Sequence, residues 1–203
     1  MCSSRPPTKQ QLLAEILRVD HAGEYGAQRI YDGQLAVLGA GKKPSLNGSN
    51  LHHTSARGSN ATPSDIIEEM RAQEIEHLRT LEDLLPAYRV RPTALLPLWN
   101  VAGFGLGAAS ALLGPRAAMA CTVAVEEVIT AHYNAQLRTL NTPGFEGERE
   151  QRLKQIIRKH RDDEEEHRDI GLQHDAEKAP LYKAMHAAIQ AGCHAAIWIS
   201  KRI

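Results

Sequence analysis

The sequence predicts an all-α protein: four amphipathic helices forming two hairpins, with two further helices of apolar character. Three observations carry this. Aromatic residues are only 4% of the chain, and little of it reads as strand. Apolar residues recur every three or four positions over long runs bounded by Pro, Gly and polar clusters. One helical hairpin is also written twice: a helix with a lone Glu on its apolar stripe, then a helix carrying Glu-x-x-His on its own. The first copy uses Glu24, then Glu74 and His77; the second uses Glu126, then Glu164 and His167. From Glu24 and Glu126 alike, Tyr follows at +7 (Tyr31, Tyr133), Gln at +10 (Gln34, Gln136), and Leu at +11 and +14.

At 203 residues the chain suits a single domain, 1–203, with a substantial core. Lys+Arg and Asp+Glu both total 24, so the net charge is zero, which argues against nucleic acid as a partner. The three cysteines, Cys2, Cys121 and Cys193, are scattered. That fits a reducing compartment and argues against a disulfide frame or a zinc knuckle. The ten histidines are many for this length and need an explanation.

Residues 1–10 are short and polar, with neither an apolar signal core nor the Arg-richness of a presequence. The first helix spans about 8–39 on the stripe Leu13, Leu17, Glu24, Tyr31, Leu35, Leu38. Small residues flank Glu24 on both sides, so another backbone or a ligand can come close. The stretch 42–61, rich in Ser, Asn, Gly and His, reads as a flexible loop, with His52 and His53 solvated rather than metal-bound. Thr62-Pro63-Ser64-Asp65 opens the second helix with an N-cap, a Pro at the first position and an acid in the first turn. That helix runs on the stripe Ile67, Met70, Glu74, His77, Leu81, Leu85 to about Pro86, and 89–92 is a connector.

The stretch 95–114 is the most apolar, without a charge between Arg91 and Arg116. Roughly 30 Å of helix reaches across a bilayer, yet Pro97, Asn100 and four glycines make it a poor span. It reads as a helix lying in the membrane interface. Its Gly103-x-Gly105-x-Gly107 run follows no strand, so it is not read as a dinucleotide loop. Pro115 starts the fourth helix, which ends at Asn141-Thr142-Pro143-Gly144. The fifth is expected over about 145–178, on the stripe Leu153, Ile156, Ile157, His160, Glu164, His167, Gly171. Pro180 opens the sixth, apolar along one side through Ile199, which reads as a second interfacial helix or a cover.

A lone Glu-x-x-His is a cheap match. Its weight here comes from context: both copies lie on apolar faces, and each follows a helix with one inward Glu. Burying carboxylates is expensive unless they are paired or bound to a cation. Four Glu and two His in this order are the donor set of a carboxylate-bridged di-iron or di-manganese site in a four-helix bundle. Hard oxygen donors balance the metal charge, and one imidazole per ion leaves positions open for oxygen. Without a cation, four buried acids would repel, so buried Glu–His pairs alone are the weaker reading. Glu126 rather than Glu127 is chosen because it shares a stripe with Tyr133 and Leu137. Gln73 and Asp163, each just before a paired Glu, are expected to hold the far nitrogens of His167 and His77 on the facing helix. Tyr25, Tyr31 and Tyr133 read as core residues with a hydrogen-bonded hydroxyl rather than as redox groups.

Several stretches resemble the demethoxyubiquinone hydroxylase family: Val-Asp-His-Ala-Gly-Glu-Tyr-Gly-Ala at 19–27, Arg-Val-Arg-Pro-Thr at 89–93 and Pro-Leu-Trp-Asn-Val at 97–101. Ala-Cys-Thr-Val-Ala-Val-Glu-Glu at 120–127 and His-Asp-Ala-Glu at 174–177 extend the likeness, which covers nearly everything from Ile16 onward. The resemblance implies a ferritin-like four-helix bundle whose two iron ions are held by the six residues reached above by spacing. It also implies a role for His132 and Tyr133 in electron and proton delivery. The loop at 42–61 is longer than the family leads one to expect.

The implied activity is hydroxylation of the aromatic ring of demethoxyubiquinol in ubiquinone biosynthesis, with O2 as co-substrate and NADH as electron donor. The implied setting is peripheral to a membrane: the matrix side of the mitochondrial inner membrane or, alternatively, the cytoplasmic face of a bacterial inner membrane. A polyprenylated quinone is the expected substrate, with a lipid-presenting protein of the quinone-synthesis complex as partner. Three rivals stand beside this: a ferritin- or rubrerythrin-like iron oxidase or peroxidase, a metal-free quinone- or lipid-binding scaffold, and a quinol oxidase of the alternative-oxidase kind.

Overall fold

Two threonines set the helix starts of the first hairpin. Thr8 caps α1 (Lys9–Leu38) and Thr62 caps α2 (Pro63–Ala87), each closing a capping box with the residue three further on, Gln11 and Asp65. Each cap satisfies amide groups that a helix start otherwise leaves open, worth about 1 kcal/mol apiece. The computed structural model describes residues 6–40 and 61–203, and the regular structure in them is entirely helical. Four more helices follow α2: α3 (Leu96–Leu112), α4 (Pro115–Leu140), α5 (Glu148–Gln173) and α6 (Tyr182–Ser200). The expected loop at 42–61, with His52 and His53, lies outside the described residues apart from Ala61.

The fifth helix is shorter at both ends than its expected span of 145–178. Gly144 at φ +103° ends the turn after α4, and with Gly147 extended, Phe145 and Glu146 stay outside regular structure, so α5 begins at Glu148. At the other end Asp175 takes a left-handed conformation, φ 62°, which a right-handed helix cannot continue. A single 3-10 turn, Ala176–Lys178, intervenes, and Leu181 at φ 53° delays α6 to Tyr182.

α1 packs against α2 and α3, and α4 packs against α5 and α6. Two apolar clusters lie along α1, α2, α4 and α5. One joins the start of α1 and the end of α2 to the end of α4 and the start of α5, through Leu17, Leu81, Leu140 and Leu153. The other joins the opposite ends, through Tyr31, Ile67, Met70, Met119 and Val123. Fully burying a side chain of this size is worth about 1.5–3 kcal/mol. The stripes that carry Glu24, Glu74, Glu126 and Glu164 run between these two dry ends.

α3 crosses α1 at backbone contact, which only glycine permits. A Cβ on Gly107 would stand 2.7 Å from the Ile30 carbonyl carbon and closer still to its oxygen. One on Gly33 would stand 2.7 Å from the Ala108 amide nitrogen. The outer surface of α3 stays apolar, with Val101 and Leu112 about three-quarters exposed, and Trp198 of α6 is also exposed. No helix among the described residues is long and apolar enough to cross a membrane.

Candidate metal centre

Period and burial together bring the six side chains to one place. Glu24 comes from α1, Glu74 and His77 from α2, Glu126 from α4, and Glu164 and His167 from α5; each is at most 2% exposed. Glu127, the alternative to Glu126, points instead to α6, where it accepts from Gln190 at 2.8 Å and sits 3.0 Å from His186.

The donors fall into two overlapping groups. Glu24, Glu74, His77 and Glu164 form one, and Glu74, Glu126, Glu164 and His167 the other, each within 4.8 Å across. Glu74 and Glu164 belong to both. Two donors bound about 2.1 Å from one ion, at angles of 90–120°, stand roughly 3.0–3.6 Å apart. His167 Nδ1 is 3.1 Å from both Glu74 Oε1 and Glu164 Oε2. His77 Nδ1 is 3.4 Å from Glu24 Oε2 and 3.3 Å from Glu164 Oε1. Both oxygens of Glu74, Glu126 Oε2, Glu164 Oε1 and His77 Nδ1 are buried with no hydrogen-bond partner among the described residues. Orphaned buried acceptors facing one another at such spacings could hold a pair of hard cations.

The surrounding shell fixes how these groups point. His77 Nε2 donates to Asp163 Oδ2 at 2.8 Å, and His167 Nε2 donates to Gln73 Oε1 at 2.5 Å. With the far nitrogen carrying the proton, Nδ1 of each ring turns its lone pair to the centre. The Tyr31 hydroxyl donates to Glu126 Oε1 at 3.0 Å, and the Tyr133 hydroxyl donates to Glu24 Oε1. Each tyrosine thus serves the acid of the other hairpin. Tyr25 is only half-buried.

Electrostatics point the same way. Burial, then the charges of Glu164 and Glu24, push Glu74 well above the usual carboxylate range. Burial and Glu164 do the same to Glu126. Burial also opposes the charge of Glu24, but His77 and His160 beside it hold that carboxyl well below the usual range. A set in which some acids are driven neutral by their neighbours is reversed by a bound cation.

Two features near the centre carry no site assignment in the sequence pattern. His160, there only a member of the α5 stripe, is 3% exposed, stacks on His77 with ring centres 4.1 Å apart, and lies 3.7 Å from Glu24. Asp20, four residues before Glu24 and so on the same helical face, is 3% exposed and accepts from Gln136. The signal that could have found both is a polar residue one turn from a ligand on a buried stripe. His132 does not join the carboxylates. It accepts from Gln136 Nε2 at 2.9 Å and lines a cavity of about 460 Å³ between α1, α3, α4 and α6. The walls of that cavity are apolar, with Ile30, Leu106, Ile129 and Ile189 among them, and Glu24, Glu74, Glu126 and Glu164 also reach it. The small residues around Glu24, including Gly23 and Gly26, leave this space open.

Comparison with known proteins gives the same direction. The family model described as ubiquinone biosynthesis protein COQ7 matches residues 11–200. The "NADPH-dependent 3-demethoxyubiquinone 3-hydroxylase, mitochondrial" of Bos taurus is 50% identical over 194 residues, covering 96% of this chain and 79% of that protein. The "3-demethoxyubiquinol 3-hydroxylase" of Rhodospirillum rubrum is 46% identical over 197 residues, covering 97% and 81%. The "5-demethoxyubiquinone hydroxylase, mitochondrial" of Saccharomyces cerevisiae is 38% identical over 211 residues, covering 100% and 83%.

Proposed function

This chain belongs to the ubiquinone biosynthesis protein COQ7 family, and on that premise we propose that it hydroxylates the ring of a polyprenylated demethoxyubiquinol, using O2. The observation that carries the reading is a buried cluster of four carboxylates and two imidazoles whose carboxylates open onto a largely apolar cavity of a size for a ring and part of a tail. We read the fold as a ferritin-like four-helix bundle of α1, α2, α4 and α5 in a single domain, with α3 and α6 as apolar additions.

Glu24 and His77 would hold one iron, Glu126 and His167 the other, with Glu74 and Glu164 shared. Bound iron supplies the oxygen-activating redox chemistry that side chains lack. The chain's own residues do the rest. Asp163 and Gln73 keep the imidazoles in one tautomer and one orientation. Tyr31 and Tyr133 hold Glu126 and Glu24 by their hydroxyls, and burial together with the nearby acids keeps both phenols protonated. The two dry clusters exclude water from either end. His132, at the cavity wall beside Asp20 and Gln136, is placed to pass protons between the cavity and the outside, while Tyr133 links that wall to Glu24.

The exposed apolar residues of α3 and α6, with Arg91, Arg116, Lys201 and Arg202 nearby in sequence, support a peripheral membrane seat. We assign it to the matrix side of the mitochondrial inner membrane, with the cytoplasmic face of a bacterial membrane as the alternative that the Rhodospirillum relative keeps open. A lipid-presenting protein that docks on this face belongs to the same reading. The electron donor is taken to be a reduced nicotinamide nucleotide. The family resemblance suggests NADH, whereas the bovine relative's name specifies NADPH, and the assay compares both.

Purified, iron-loaded protein in detergent micelles is given a short-tailed demethoxyubiquinol, 18O2 and either nucleotide. The expected product carries one 18O on the ring and forms only with iron present. Oxidised quinone without ring oxygenation would replace this reading with a quinol oxidase. Less than about one iron per chain after loading would favour the metal-free scaffold.

A further inference from the structure

At one side of the cavity lies a polar group that the metal reading leaves unused. Asp20 lines the cavity and is 3% exposed. Its Oδ1 accepts from Gln136 Nε2 at 2.5 Å. The same amide nitrogen donates to His132 Nε2 at 2.9 Å, so both of its hydrogens are spent within the cluster. Asp20 Oδ2 is left buried with no hydrogen-bond partner among the described residues. Apart from the four glutamates and His132, most of the remaining wall is hydrocarbon. A buried polar atom left unpaired is costly, and at the edge of an open cavity its missing partner is a ligand's polar atom.

Position narrows the choice. Asp20 precedes Glu24 by one helical turn, about 6 Å along the axis. An aromatic ring with oxygens para to each other bridges such a distance with its edge at the carboxylates. We infer that the Asp20 carboxyl hydrogen-bonds a ring oxygen of the substrate and so fixes which ring edge faces Glu24 and Glu126. This rests on the quinol substrate proposed above and names the group that orients it. Burial drives the Asp20 carboxyl well above its usual range, with the Gln136 hydrogen bond and Lys201 opposing. The free oxygen is therefore suited to carry the proton and donate it to the ring oxygen. Asp20 is a positioning residue on this account: it touches the substrate without entering the bond-forming step.

Trp99 lines the same cavity and Trp198 is exposed on α6, and they are the chain's two tryptophans. Trp198→Phe therefore leaves one reporter beside the ligand. The full chain with this change is titrated under argon with two ligands sharing a two-isoprene tail: demethoxyubiquinone, and the same tail on a ring without oxygens. The quinone is expected to bind ~10-fold or more tightly than the bare ring. Asp20→Leu should erase that advantage while leaving the bare ring unchanged. Asp20→Asn, which still offers a donor, should keep it to within ~3-fold. An equal quinone advantage in the Leu variant overturns the inference and leaves the substrate reading standing. No binding of the quinone by the Trp198→Phe chain removes both. If neither Asp20 variant folds, quenching by the two ligands in the Trp198→Phe chain alone still decides, because equal affinities there overturn the inference.

Discussion

Replacing Gly107 by Ala should destabilise the protein, whereas the same change at Gly105, two positions away on the same helix, should stabilise it. At Gly107 the new methyl would be 2.7 Å from the Ile30 carbonyl carbon, against an ordinary contact of at least 3.4 Å, so α1 and α3 must part by at least about 0.7 Å. Both sides of the contact are backbone, and no rotamer relieves it. Overpacking of this kind costs about 3 kcal/mol, offset by about 1 kcal/mol of helix propensity. The net loss of about 2 kcal/mol lowers the melting temperature by roughly 4–8 °C for a chain of this size. At Gly105 nothing lies within 4 Å of the place the methyl would take. There propensity alone acts, and the melting temperature should rise by roughly 2–4 °C. The assay is thermal unfolding by circular dichroism, with urea unfolding at 25 °C as the equilibrium check. Because α3 walls the cavity, Trp99 emission should also shift to the red in the Gly107 variant. If both variants move the same way, the backbone crossing is not what holds α3 in place.

Other consequences follow from the centre itself. Asp163→Ala removes the group that orients His77, and iron affinity measured by chelator competition should fall ~10- to 100-fold; an unchanged affinity would mean the ring is held by packing alone. Glu74→Gln removes a carboxylate pressed between Glu164 and Glu24, so the metal-free variant should melt above the metal-free parent, while added iron should no longer raise its melting temperature. Burial, with Lys201 and His194, depresses His132 from 6.5 to about 4. Its neutral form then contributes stability that is complete above pH 6.5 and is lost as the pH falls through 4. The shift is worth about 3 kcal/mol, so the stability gap between the parent and His132→Gln, from urea unfolding, should shrink by about that much between pH 7 and 4. A gap that does not change with pH would show that His132 titrates normally.

The parts of this fold that obey a period are readable in one dimension. Glu24, Glu74, Glu126 and Glu164 lie on apolar stripes, and a helix has no way to separate residues on one stripe, so their approach follows from the pattern. Thr62 is legible too, because the Thr-Pro-Ser-Asp string signals a helix start locally. The end of α5 is not, because Asp175 in a left-handed conformation is a residue choice that many helices tolerate in their interior. The α1–α3 crossing is also hidden. Small residues beside Glu24 announce a close approach, but Gly33 meets α3 and Gly107 meets α1 across a distance in sequence that no local pattern spans. Asp20 is half legible: it lies one turn before Glu24 on the same helical face, but only its burial and its one idle oxygen single it out.

Four hydrogen bonds around the centre join the two copies of the hairpin: Tyr31 with Glu126, Tyr133 with Glu24, Asp163 with His77, Gln73 with His167. The first copy brings Glu24, Glu74 and His77, and the second brings Glu126, Glu164 and His167. The arrangement is that of a two-subunit protein spliced into one polypeptide. A break at the exposed Arg91–Pro92 connector should yield fragments that are each incomplete, yet reassemble when mixed.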